Sequence, residues 1–193
     1  FVHYCSTEES ASTKNVLMTT EALSKQCNTF LFSTLQQDKV VSVFDINKDF
    51  ELYKNGFGVS KKPLQVIDRL VFSFLTLFQI WIRDIERIYT RDIVFLTILN
   101  LIPFDKFEII YEAHNPYDKT SIFPEILEKP AVKSADHTFC VSEGVEKDLS
   151  KWTDSTSILR NCVRWGDFED LKNLDSGNET LVLYSGSLKP RKG

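Results

Sequence analysis

Phe107-Glu-Ile-Ile-Tyr111-Glu-Ala-His114-Asn-Pro-Tyr117 is the stretch on which the fold turns. Phe107 to Tyr111 is β-branched or aromatic apart from one charge, and reads as a buried strand. Asn115-Pro116 ends it, because the residue before a proline is pushed away from helix and proline has no N–H for a ladder. Glu112 and His114 are thereby left at the carboxyl end of a strand. In open α/β sheets that edge is where ligands bind.

Working outward, the chain alternates strands and helices. Upstream, Ile85–Thr90 reads as a strand ending in Tyr89-Thr-Arg91, and Asp92 as the cap of an apolar helix, Ile93–Ile102, closed by Pro103. Leu64–Ile82 is the most hydrophobic stretch. Its inner run, Leu70–Ile82, falls short of the ~20 residues that span a bilayer. It reads as a buried helix, with a membrane-surface helix as the alternative. Asn47–Lys62 is polar, contains Gly56 and Gly58, and reads as a loop, and Val40–Ile46 reads as the third strand. At the start, Phe1–Cys5 and Thr29–Ser33 read as strands around a helix to about Gln26, N-capped by Ser12 or Thr13. The turn between them holds Ser10-Ala11-Ser12-Thr13 in place of a glycine-rich phosphate loop. It is either a capped turn without a ligand or a place where small residues let a ligand approach a helix N-terminus.

Downstream, Phe123–Ser134 reads as a helix interrupted near Pro130. Ala135–Ser142 reads as a strand whose Ser142 caps a helix over Glu143–Lys151, and Ser157–Val163 as the seventh strand. An acidic, turn-rich linker leads to a further strand, Thr180–Ser185, and then Gly186-Ser-Leu-Lys-Pro-Arg-Lys-Gly193. Both ends of the sequence read as cut.

The alternation predicts an α/β fold: a Rossmann-like three-layer domain with a mostly parallel sheet. A chain of 193 residues fits one domain, or one plus part of a second. A net charge of −4 argues against a nucleic-acid partner. The four cysteines form no C-x-x-C pair and read as reduced, mostly core thiols of a cytoplasmic protein. No metal-ligand constellation is visible. The carboxyl edge is expected to present Ser6–Thr13, Asp45, Arg91, Glu112, His114, Ser142 and Asn161. Hydroxyls with one Arg, one Glu and one His suit a polyhydroxyl or phosphorylated ligand. His3 and His137 lie on or beside apolar strand runs and read as structural. The pattern alone leaves His114 open between a structural and a catalytic role.

Five motifs in order, Tyr-Thr-Arg91, Tyr-Glu-Ala-His114, Ala135-Asp…Val-Ser142, Leu-Arg-Asn161-Cys-Val…Phe168 and Leu-Tyr-Ser-Gly186-Ser-Leu…Lys192-Gly193, resemble the family 4 glycosyltransferases. These are retaining enzymes of the GT-B fold, two Rossmann-like domains facing across a cleft. The resemblance implies that residues 1–178 are the N-terminal acceptor-side domain with its linker, and 179–193 the start of a truncated donor-binding domain. It implies that His114 is the catalytic cleft histidine, with Ser10, Ala11, Ser12, Arg91, Glu112 and Asn161 at the substrate. Gly186, Ser187, Arg191 and Lys192 would face the donor diphosphate. The implied substrates are a nucleotide-diphosphate sugar and a glycan, lipid-linked or small-molecule acceptor, with no cofactor or metal required. The implied place is the cytoplasm or the inner membrane surface, with peripheral membrane contact through Leu64–Ile82. Without its second domain the chain is expected to be inactive. Two rivals are a flavodoxin-like binding or regulatory domain and a membrane-surface interaction module.

Overall fold

A computed structural model of the protein describes residues 1–4, 11–35, 49–59, 61–102, 107–114 and 125–160. They lie within one compact unit, Phe1–Asn161. The expected strand at Val40–Ile46, the linker and domain boundary near 178, and the strand at Thr180–Ser185 lie outside the described residues.

Seven strands form one parallel sheet: β1 (Val2–His3), β2 (Phe30–Ser33), β3 (Glu51–Lys54), β4 (Arg87–Thr90), β5 (Glu108–Ala113), β6 (His137–Cys140) and β7 (Thr156–Ile158), in the order β3-β2-β1-β4-β5-β6-β7. Among the described residues there are five helices: α1 (Ala11–Ser24), α2 (Lys62–Ile82), α3 (Ile93–Asn100), α4 (Glu125–Lys133) and α5 (Glu143–Leu149). The strand order runs one way from β1 to β3, then α2 carries the chain back to the other side of β1. Right-handed crossovers in opposite directions put their helices on opposite faces, which makes three layers. Accordingly Val16 and Leu17 of α1 pack with Phe1, Leu31, Leu35 and Phe50 on one face. Phe72, Leu77 and Ile80 of α2 join Phe95, Leu96 and Leu99 of α3 over Val2, Phe32, Ile88, Ile109 and Tyr111 on the other.

Several expectations are corrected in detail. The 47–62 segment is not all loop, because β3 lies within it and pairs residue for residue with β2, from Phe30↔Glu51 to Ser33↔Lys54. As an edge strand with exposed ends it carries no apolar signature, so its sequence resembles a loop. Ser12 and Thr13 do not cap α1, because the helix already begins at Ala11 and both sit in its first turn. Pro130 does not interrupt α4, which continues through it to Lys133. The capping reads of Asp92 and Ser142 hold. Asp92 accepts from the N–H groups of Val94 and Phe95, and Ser142 from that of Val145. Of the two cysteines among the described residues, Cys140 is buried, as a core thiol would be, and Cys27 is exposed; Cys5 and Cys162 lie outside them.

The largest correction concerns α2, which is buried along one face only. It runs 21 residues without a glycine, starts at Pro63 in its first turn, and ends where Asp84 takes a left-handed φ of 50°. Its inner face is partly polar. Asp68 is 3% exposed and accepts from the N–H groups of Phe57 (2.8 Å) and Val59 (2.9 Å) and from the Tyr4 hydroxyl (2.9 Å). Asn55 donates to Thr76 at 2.9 Å and accepts from Gln79 at 3.0 Å. Burial pulls the Asp68 carboxyl up, but these donors hold it below the usual carboxylate range. Its outer face is apolar and exposed, from Leu64 to Ile82, because the helix uses its polar side to hold the loop after β3.

Asp68 therefore clamps residues 55–59 against the sheet. Replacing it with alanine strips the Phe57 and Val59 N–H groups of their acceptor and leaves the Tyr4 hydroxyl only the Val59 carbonyl, and the expected loss of stability in urea unfolding is about 2–4 kcal/mol. Asp68→Asn, which keeps one acceptor oxygen, should lose less.

Candidate functional site

The strand order reverses between β1 and β4, and a parallel sheet opens a crevice at the carboxyl ends there. Register places specific residues at that point. Val2 pairs with Thr90, and Thr90 with Tyr111. One step on, His3, Arg91 and Glu112 stand side by side at one level on three adjacent strands, with Tyr89 and His114 two residues away on the same face. The Thr90 hydroxyl fixes this corner: it donates to the Val2 carbonyl at 3.1 Å and accepts from the Asp92 N–H at 3.1 Å. Asp92 in turn starts α3, so the chain at Arg91 is held from both sides.

Glu112 is the centre of the cluster. It is 2% exposed. Its Oε1 accepts from Arg91 Nη2 at 2.6 Å and from His114 Nε2 at 2.8 Å, and its Oε2 accepts from the Tyr89 hydroxyl at 2.6 Å. Burial alone would raise its pKa. The His114 hydrogen bond, the Arg91 guanidinium and the Tyr89 hydroxyl outweigh burial and bring it down to about 2. The phenol of Tyr89 moves the other way, pushed up by burial and by the Glu112 charge. Tyr89 itself is wedged between aromatic rings, with Phe1 stacked at 4.8 Å and Phe139 at 6.4 Å between centroids.

The cluster has donors to spare. The Arg91 side chain is buried, yet its Nε and Nη1 have no hydrogen-bond partner, and neither does His3 Nδ1. Burial and the nearby Arg91 and His114 lower the His3 pKa to about 4, so this imidazole is neutral at pH 7. With Glu112 ionised, His114 donates to it through Nε2, and the acceptor nitrogen of the neutral ring is then Nδ1. A carboxylate that orients an imidazole in this way sets it up to receive a proton or a hydroxyl hydrogen. His114 is also the more open of the pair, 31% exposed against 2% for Glu112. The most open polar group of the cluster is the His114 imidazole, which suits a ligand hydroxyl, while the buried Arg91 guanidinium serves Glu112. Among the described residues, no group of three or more His, Cys, Asp or Glu side chains is placed to hold a metal.

Of the residues singled out in the sequence, Arg91, Glu112 and His114 come together here. Ser142 follows β6 but caps α5. Ala11 heads α1, and Ser12 is exposed in its first turn. Ser10, Asp45, Asn161, Gly186, Ser187, Arg191 and Lys192 lie outside the described residues. His137, read as structural, bonds to the hydroxyls of Ser155 (3.1 Å) and Ser157 (2.8 Å) across to β7. Tyr89 is the residue at the cluster that sequence reasoning did not assign, and His3, read as structural, is buried beside it. Their signal was the period-2 spacing of Phe1 with His3 and of Tyr89 with Arg91, which becomes informative once β1 and β4 are known to be neighbours.

No protein-family model matches the sequence, and none of the curated proteins matches it. The site therefore rests on geometry.

The buried neutral His3 makes stability depend on pH. Its pKa falls from 6.5 to about 4 on folding, so between those values the unfolded chain binds a proton that the folded chain does not. The His3 contribution is then full above pH 6.5 and declines as pH drops toward 4, by about 3 kcal/mol in all. Glu112 acts in a separate window, losing its contribution only as pH falls from 4.5 toward 2. Urea unfolding at pH 7 and pH 4.5 should show a smaller difference for His3→Asn than for the wild type. Equal differences would mean that His3 is not buried neutral.

Proposed function

We propose that this chain is the acceptor-side domain of a retaining glycosyltransferase, one that moves a sugar from a nucleotide-diphosphate donor to a hydroxyl. The observation that carries the reading is the Arg91–Glu112–His114 cluster at the point where the strand order of a parallel sheet reverses. Its support from sequence is the order of the five motifs, two of which, Tyr-Thr-Arg91 and Tyr-Glu-Ala-His114, end in residues of that cluster. In this chemistry the protein mainly positions donor and acceptor and offsets charge on the leaving diphosphate. His114 would hold the acceptor hydroxyl or the donor sugar. Glu112 would fix the ring of His114, and the buried Arg91 would fix Glu112. The resemblance gives the diphosphate to Gly186, Ser187, Arg191 and Lys192.

The rival small-ligand domain of flavodoxin type calls for the strand order 2-1-3-4-5. The order here is β3-β2-β1-β4-β5-β6-β7, which departs from the flavodoxin order and follows the 3-2-1-4-5-6 order shared by Rossmann domains of many functions.

The test is made on the complete gene product with a panel of labelled nucleotide-diphosphate sugars. His114→Ala should lower turnover by about 10²–10³ while circular dichroism stays unchanged, since His114 follows β5 and lies outside its apolar run. Unchanged turnover would remove His114 from the site. Absence of any sugar transfer by the wild type across donors and acceptors would overturn the reading itself.

A further inference from the structure

We propose that the outer face of α2 pairs with the same face of a second copy of this chain, the two helices running antiparallel. Leu64, Ile67, Val71, Phe74, Phe78 and Trp81 recur at intervals of three, four, three, four and three residues, and each is between 38% and 62% exposed. That is the repeat of a helix–helix seam, carried over about 26 Å at 1.5 Å per residue. Leu70, Leu75 and Ile82, also exposed, widen the seam on its flanks. At roughly 100 Å² each, these nine side chains present about the 800 Å² per partner that a standard interface buries.

The order of side chains along the seam sets its direction. Leu64, Ile67 and Val71 make the first half aliphatic, and Phe74, Phe78 and Trp81 make the second half aromatic. A two-fold axis between positions 72 and 73 lays Leu64 opposite Trp81, Ile67 opposite Phe78 and Val71 opposite Phe74. Every level then joins a smaller side chain to a larger one, as interdigitated layers require. A parallel pair would crowd ring against ring at one end and leave the other end thin.

Charge points the same way. Lys61 and Lys62 open the helix, no acidic residue lies in its first turn, and Asp84 and Glu86 follow its last turn. Each sign stands at the unfavourable end of its own helix dipole and at the favourable end of an antiparallel neighbour's. Lys61, Asp84 and Glu86 are exposed. The nearby arginines are turned elsewhere: Arg69 and Arg83 lie over the rings of Tyr4 and Tyr53, and Arg87 is paired with Glu108. The inner side of α2 is already committed to its own domain through Asp68, Thr76 and Gln79. Pro63–Ile82 is long and apolar enough to cross a membrane, but crossing would break those bonds, whereas pairing leaves them in place.

Sedimentation velocity of the 193-residue chain tests this independently of the transferase reading. At tens of micromolar the wild type should run as a dimer. Phe74→Ser with Phe78→Ser, both at exposed positions, should keep the circular dichroism spectrum and weaken dimerisation by about a hundredfold or more. Glu86→Lys should weaken it about fivefold, because the two-fold axis counts the change twice, and Lys61→Glu added to the same chain should restore it. A monomeric wild type, with or without binding to lipid vesicles, would overturn the proposal. So would a dimer that the double serine variant leaves intact. A loss that Lys61→Glu deepens instead of restoring would overturn the antiparallel direction.

Discussion

The carboxylate of Glu112 holds together the part of this fold where chemistry is expected. Two strands, β4 and β5, end beside it, and both send side chains to it: Tyr89 and Arg91 from one, His114 from the end of the other. A buried charge is tolerable only when paired and fully hydrogen-bonded, and here both oxygens are in use. The same bonds fix the ring of His114 and leave Arg91 with spare donors. If Glu112 were missing, Arg91 would be a buried cation without a counter-charge, and the strand ends would lose the group that sets their side chains in register. Stability and site geometry are thus properties of the same few bonds.

Much of this was legible in the sequence. The apolar strand before Glu112 and the Asn-Pro after it placed that carboxylate and His114 at a carboxyl edge, and β5 does end there. Caps were legible because they are local: Asp92 and Ser142 act on backbone groups two and three residues away. What sequence could not supply was adjacency. His3 is 88 residues from Arg91 and meets it only because the chain returns across the sheet through α2. Edge strand β3 escaped for a related reason. A strand paired on one side and half-exposed on both faces needs no hydrophobic pattern, so Glu-Leu-Tyr-Lys carries none.

The misreading of α2 has another cause. Composition measures how apolar a helix is, and burial depends on which of its sides the rest of the chain can use. The side facing the sheet carries Asp68, Ser73, Thr76 and Gln79, because the loop after β3 has N–H groups and an amide to satisfy there. The apolar majority was left on the outside. A stretch that looked like core by average hydropathy is core along one stripe only, where Phe72, Leu77 and Ile80 meet the sheet.

The corner where Gly56 meets Asp68 restricts how this sequence can drift. Gly56 has a φ of +74°, and a Cβ placed on it would stand 2.9 Å from Asp68 Oδ1 and 3.3 Å from Phe72 Cβ. A side chain at 56 is therefore strained by its backbone and blocked by the carboxylate. Removing the carboxylate to make room would release the N–H groups of Phe57 and Val59 that it holds. Neither residue can be exchanged without loss, even with the other changed, so Gly56 and Asp68 are expected to be retained together in descendants of this chain. Leu64, Ile67 and Phe74, on the far side of the same helix, meet no such constraint from the described residues of their own chain.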